Sequence, residues 1–232
     1  MPEIAKNIFF VFSSDVISKI FGLLTTILIA RTLPKGEYGL LSYVASIIYL
    51  LGLLTDLGYV PYGIKKFSQD KEKDKNLLTP GLMLSTFASL LILIFILIAI
   101  STTRMSTEQK LLMLFLGIGL AFNSLSFSYN CSIRGGEKFK YYSASRIISS
   151  LAILALTIIY LHLPQNRLVN AGGKAPLIGM SLSFIYLFYI NKKHGLVQIR
   201  LKIPLAEIRN FFNNSLPFAL MSVFAIIYRR ID

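Results

Sequence analysis

The chain has 232 residues, 54% of them hydrophobic and 15% charged, with a mean hydropathy of +0.64 and a formal net charge of +13. Soluble domains are about 45–50% apolar and about 25% charged, so this chain has too few charges to cover a water-facing surface. That excludes an ordinary soluble domain and leaves a polytopic, all-α membrane helix bundle.

A bilayer core takes about 20 mostly apolar residues per helix, and runs of that size recur along the sequence. The first spans residues 8–33. It is too long for a signal peptide, lacks an A-x-A cleavage site and carries Asp15 and Lys19, so it reads as a retained helix. Asp15, Lys19, Gly22 and Thr26 share one face of that helix. A charge near mid-bilayer costs about 2.5–3.5 kcal/mol, so this face does not point at lipid. Two readings stay open: a water-filled functional face, or an i,i+4 pair whose members neutralise each other.

"RTLPKGEYG" (31–39), with Pro34 and Gly36 as breakers, joins the first run to a second at 40–64. There Ala45, Tyr49, Gly52, Asp56 and Gly63 align, with Asp56 at about the depth of Asp15. "KKFSQDKEKDKN" (65–76) is a charged connector. The third run, 77–100, includes "LLILIFILIAI" (90–100), which has no polar group and is expected to face lipid. "STTRMSTEQK" (101–110) leads to the fourth run, 111–133, where Gly119, Asn123, Ser126, Asn130 and Arg134 align. "RGGEKFK" (134–140) is a tight turn without a phosphate-loop pattern. In the fifth run, 141–163, Tyr142, Arg146, Ser149, Ser150 and Thr157 align. The sixth, 175–191, is shorter and plain. Ser and Gly in such stripes commonly serve close helix packing, whereas Arg146 and Asp56 need a polar cavity or partners. Four striped helices and two plain ones fit a bundle around an off-centre aqueous cleft.

"KKHGLVQIRLKIPLAEIRNF" (192–211) reads as a linker lying on the interface, amphipathic in its second half. A seventh run begins near Phe211 but is interrupted by Asn213, Asn214 and Ser215. After Pro217, only residues 218–228 are cleanly apolar before Arg229, Arg230, Ile231 and Asp232. That is about half of a span, and the expectation is the front part of a longer protein: residues 1–209 a six-helix lobe, residues 210–232 the start of a second.

Loop charge sets the orientation. Lys and Arg number fourteen on the side of Lys6, Lys65, Arg134 and Lys192, against six on the side of Arg31, Arg104 and Arg167. Cytoplasmic loops carry the positive excess, so the N-terminus is expected in the cytoplasm. The basic loops then serve orientation and contact with anionic lipid rather than nucleic acid. Cys131 has no disulfide partner, His162 and His194 fall at opposite membrane ends, and no metal set can be assembled. There is no H-E-x-x-H, no paired carboxylates beside a histidine and no nucleophile elbow, so neither enzyme activity nor a cofactor is expected.

Three motifs carry a family resemblance. "IARTLPKGEYGLLSYV" resembles the A-R-x-L-G-x-x-x-Y-G signature after the first helix of polysaccharide transporters, with Pro34 where glycine is usual. "LTDLGYVPYGIKKFS" resembles their D-L-G in helix two, and "RGGEKFKYYSASRI" their R-G-x-E-K-F-K turn between helices four and five. "YRRID" looks like their R-I-D late in helix seven. The family is that of the O-antigen, capsule and teichuronic-acid flippases of the MOP (multidrug/oligosaccharidyl-lipid/polysaccharide) exporter superfamily, whose members have twelve to fourteen helices in two six-helix lobes. The resemblance implies a cell-membrane flippase. It would move undecaprenyl-pyrophosphate-linked oligosaccharide from the inner to the outer leaflet by alternating access, with polysaccharide polymerase and other assembly proteins as further partners. Lys19, Arg146, Arg229 and Arg230 are then the candidate escorts of the pyrophosphate. Asn123 and Asn130 are further substrate contacts, and Asp15 and Asp56 are ion-coupling or charge-tuning groups. Two alternatives accompany this reading: a drug/cation antiporter of the same superfamily, and a non-transport membrane subunit of a polysaccharide-assembly complex.

Overall fold

The structure, a computed structural model, describes residues 2–56, 58–69, 77–163, 165–195 and 203–231. Within them, side chains are described except at 2–6, 53, 54, 56, 127, 128, 222, 223 and 225–231. The described chain is helical: α1 (Pro2–Thr32), α2 (Lys35–Asp56), α3 (Tyr59–Gln69), α4 (Thr79–Thr102), α5 (Thr107–Gly135), α6 (Phe139–His162), α7 (Arg167–Val169), a π-helical turn (Asn170–Lys174), α8 (Ala175–His194) and α9 (Leu205–Ile231). Among the described residues, five helical stretches are long and apolar enough to cross a bilayer, from Asn7–Thr32 to Arg167–His194. With large side chains such as Phe12, Leu50 and Phe95 more than half exposed, lipid is the solvent this surface fits, and the protein is a multi-pass membrane helix bundle.

The apolar runs and the helices coincide apart from three differences. The run at 40–64 is two helices, not one. Gly58 adopts φ +73°, outside the right-handed helical region, and Pro61, in the first turn of α3, has no N–H to continue the α2 ladder. The break is also a close approach: a Cβ on Gly58 would lie 2.4 Å from the Ala219 backbone nitrogen and 2.5 Å from the Ser215 carbonyl of α9. Only glycine meets both demands.

The sixth span is longer than 175–191. Residues 167–174 continue it outward through the π turn, where the Ala175 N–H donates to the Asn170 carbonyl, one residue beyond the α spacing. Pro176 supplies the reason, because its missing N–H cannot reach the Gly172 carbonyl and the ladder shifts register. The seventh helix starts at Leu205, just after Pro204, and runs through Asn213, Asn214 and Ser215 without a break. The Asn214 amide donates to Asn210 Oδ1 at 2.8 Å, and Ser215 is buried with its hydroxyl donating to the Phe212 carbonyl. The polar triplet is absorbed within the helix.

Hairpin connections make the helices alternate in direction. One end is sealed by a cluster containing Ile29, Leu33, Val44, Ile96, Leu112 and Leu168. In α4, Ile92 and Ile96 point into this core, while Leu90, Leu91, Ile94 and Leu97 are at least half exposed, as a lipid-facing helix requires. The other end has a smaller apolar cluster, Tyr129, Ile133, Leu187 and Ile190 between α5 and α8, supplemented by polar ties. The Ser132 hydroxyl donates to Asn191 Oδ1 at 2.6 Å between α5 and α8, and the Ser143 hydroxyl donates to the Phe10 carbonyl at 2.9 Å between α6 and α1. Small residues, including Ser14, Thr25, Ser143 and Thr157, are buried in these two helices, whose close pairing is the packing that small side chains permit in lipid. Phe211 of α9 is buried against Tyr62 and Tyr59 of α3, which fixes the seventh helix to the first six.

Candidate functional site

A cleft of about 400 Å³ opens among α1, α3, α5, α6 and α8. It reaches from Ser18, midway along α1, to Arg134 in the last turn of α5 and Tyr142 in the first turn of α6. The stripes on α5 and α6 meet here: Asn123, Ser126, Asn130 and Arg134 face Tyr142, Arg146, Ser149 and Ser150. On a 3.6-residue helix this spacing holds a polar wall while the remaining sides pack or meet lipid.

Arg146 is the hub. Its Nη1 donates to the Tyr142 hydroxyl at 3.0 Å, and its Nε lies 3.3 Å from Asp15 Oδ1 on α1. That oxygen is enclosed yet accepts no hydrogen bond among the described residues, so the contact is an ion pair without good hydrogen-bond geometry. Both side chains remain about two-fifths exposed, which puts the pair in the weak class. The Arg134 guanidinium sits 5.0 Å from the centre of the Tyr142 ring and that of Arg146 5.8 Å from it, so two cations share one aromatic neighbour. With Asp15 committed to Arg146, Arg134 has no ion pair among the described residues. Asn130 Oδ1 is also enclosed and takes no hydrogen bond among the described residues.

The candidate residues from sequence therefore separate. Arg146, Asn123 and Asn130 line the cleft, and Asp15 joins it through Arg146. Lys19 does not line it. It is exposed on the flank of α1, and Asp15 forms its ion pair with Arg146 across two helices rather than with Lys19 one turn away. The side chains of Asp56, Arg229 and Arg230 lie outside the described residues. Several lining residues carried no site role in the sequence: Arg134 was counted with the basic turn, although the α5 alignment already ended on it, Ser183 comes from the helix that looked plain, and Ser18 and Ser145 lie outside the stripes. Tyr142 was placed in a stripe without a role; its contact with Arg146 is local to α6, one turn apart, whereas its contact with Arg134 depends on the α5–α6 turn. Among the described residues no cluster of three His, Cys, Asp or Glu could hold a metal.

Solved structures share this architecture. A MOP superfamily transporter from Pyrococcus furiosus Vc1, described by the reverse polarity of its binding pocket, is similar at 19% identity with a TM-score of 0.65, over 89% of this chain and 49% of that one. An outward-facing multidrug resistance MATE family transporter of the same superfamily gives the same values. A MATE protein in a bent conformation matches at 20% identity and a TM-score of 0.65, over 89% and 50% of the two chains. The chain thus spans about half the length of these structures, and at such identity the likeness establishes the fold. No curated protein matches the chain. Residues 4–232 match the family described as polysaccharide biosynthesis protein. The chain belongs to the polysaccharide biosynthesis protein family and is built on the helical fold of the MOP superfamily.

Proposed function

We propose that the protein flips polyprenyl-pyrophosphate-linked oligosaccharide from the inner to the outer leaflet for cell-surface polysaccharide assembly. The observation that carries this reading is the cationic cleft, with Arg134 and Arg146 gathered on Tyr142 among serine and asparagine side chains. A pyrophosphate cannot cross hydrocarbon bare. Guanidinium groups bind its oxygens through paired N–H donors, hydroxyl and amide groups suit sugar, and the polyprenyl tail stays in lipid. Residues 1–209 act as one lobe and residues 210–232 open a second, and alternating access comes from the two lobes rocking about the cleft. A cationic drug would need an acidic cleft, and here the one cleft-side carboxylate among the described residues, Asp15, is taken by Arg146. That weighs against the antiporter alternative. The test is deletion of the gene: lipid-linked oligosaccharide should accumulate on the inner leaflet, whereas normal levels with impaired efflux of a cationic dye would favour the antiporter.

The orientation that goes with this reading puts the Arg134 end of the cleft in the cytoplasm, as the basic loops favour. Cysteine introduced at Lys71 or Lys193 should then react with a membrane-impermeant thiol reagent only from the cytoplasmic side, and cysteine at Thr107 or Asn166 only from outside. The native Cys131 is buried. Labelling of Thr107→Cys from the cytoplasm would reverse the orientation.

A further inference from the structure

Resting on the flippase reading, we propose that Asp15 is an exchangeable internal anion: it holds Arg146 while the cleft is empty and moves to Lys19 when a pyrophosphate takes its place. Three observations meet in this. The Asp15–Arg146 contact is loose, 3.3 Å from Nε, with Oδ1 accepting no hydrogen bond among the described residues and both side chains about two-fifths exposed. Arg146 does not depend on Asp15 for its position, because Nη1 is separately held by the Tyr142 hydroxyl. Lys19 sits four residues along α1 from Asp15, exposed and with no ion pair among the described residues, at the spacing where an acid and a lysine meet on one helix face.

The exchange conserves charge pairing. In the empty cleft Asp15 neutralises Arg146, so the guanidinium is not left unpaired within the membrane. When the ligand arrives, its phosphate oxygens take over Arg146 and engage Arg134, and the displaced carboxylate swings one turn along its own helix to Lys19. Neither the arginine nor the aspartate passes through a stage without a partner. Lys19 thereby favours loading without touching the ligand and acts as a positioning residue. A ligand shifts such an equilibrium only by binding its two arrangements differently, and here the difference is whether Arg146 is free to bind.

The experiment measures the affinity of the purified protein in nanodiscs for undecaprenyl diphosphate, with undecaprenol as the control lipid. Asp15→Asn removes the competitor and should tighten binding about five- to tenfold, and Lys19→Gln should weaken it by a similar factor, the lower range of site-to-site coupling. The double variant should bind like Asp15→Asn alone, since Lys19 acts only through the carboxylate. Lys19→Arg should restore wild-type affinity, which separates loss of charge from misfolding. If Lys19→Gln weakens binding equally with and without Asp15, Lys19 touches the ligand directly and the exchange is wrong. If the wild-type protein binds undecaprenol and undecaprenyl diphosphate equally, the flippase reading itself fails, and the exchange with it.

Discussion

Replacing Arg146 by alanine is expected to abolish export while leaving the protein inserted in the membrane. The change removes two contacts at once, the donor to the Tyr142 hydroxyl and the partner of Asp15. It leaves a carboxylate facing the cleft with its enclosed oxygen unpaired. The pair is about two-fifths exposed, so its own contribution is small, about 0.2–1 kcal/mol. The larger loss is that of the guanidinium's charge-assisted hydrogen bonds to phosphate, about 1.5–3 kcal/mol or roughly ten- to a hundredfold in affinity for the pyrophosphate. Arg146→Lys should recover only part of the activity, because a single ammonium cannot serve Asp15 and Tyr142 from the two ends of a planar fork. The check is binding of undecaprenyl diphosphate together with export in cells, normalised to inserted protein. Wild-type export by Arg146→Ala would remove Arg146 from the site.

A comparably large effect is expected on the scaffold at Gly179, where α8 crosses α6. A Cβ there would lie 2.4 Å from Ile153 Cγ1 and 3.0 Å from the Ser149 carbonyl oxygen. Neither is the free end of a flexible chain, so the two helices must separate. Ile153 and Ser149 also line the cleft, and the displacement would deform it. Overpacking of this kind costs about 1–3 kcal/mol, and Gly179→Leu should lie at or above the top of that range. Gly39→Leu is the control, since a Cβ at Gly39 meets no atom within 4 Å. The measurement is thermal unfolding in detergent: Gly179→Leu should melt well below wild type and Gly39→Leu close to it. Equal melting of the two would mean that the α6–α8 crossing is not tight.

Local signals were legible in the sequence and long-range ones were not. Helix-length apolar runs mark the spans because hydrocarbon demands them, and the stripes on α5 and α6 were visible as residues one helical turn apart. The break at Gly58 is carried by one glycine and one proline inside an unbroken apolar run, so hydropathy averages over it. The π turn hides in Asn170–Lys174, whose two glycines and lysine read as a loop, and only Pro176 hints at a ladder shifted rather than ended. Charge pairing depends on long-range packing. Local spacing offers Lys19 as the partner of Asp15, whereas the structure selects Arg146, brought in by the close packing of α1 on α6. Arg134 shows the same limit, since a cation in the last turn of a span serves membrane orientation and cleft lining equally well until its neighbours are known.

Flipping requires the cleft to carry a pyrophosphate-linked saccharide across the bilayer. Liposomes reconstituted with the protein and loaded with fluorescent undecaprenyl-diphosphate-linked oligosaccharide test it most directly, by following how fast the inner-leaflet sugar becomes accessible to an external quencher. The diphosphate-linked lipid should become exposed rapidly and the same saccharide on a neutral polyprenyl carrier slowly, and Arg146→Ala should abolish the difference. Equal rates for the charged and neutral lipids, or no movement of either beyond protein-free liposomes, would contradict it.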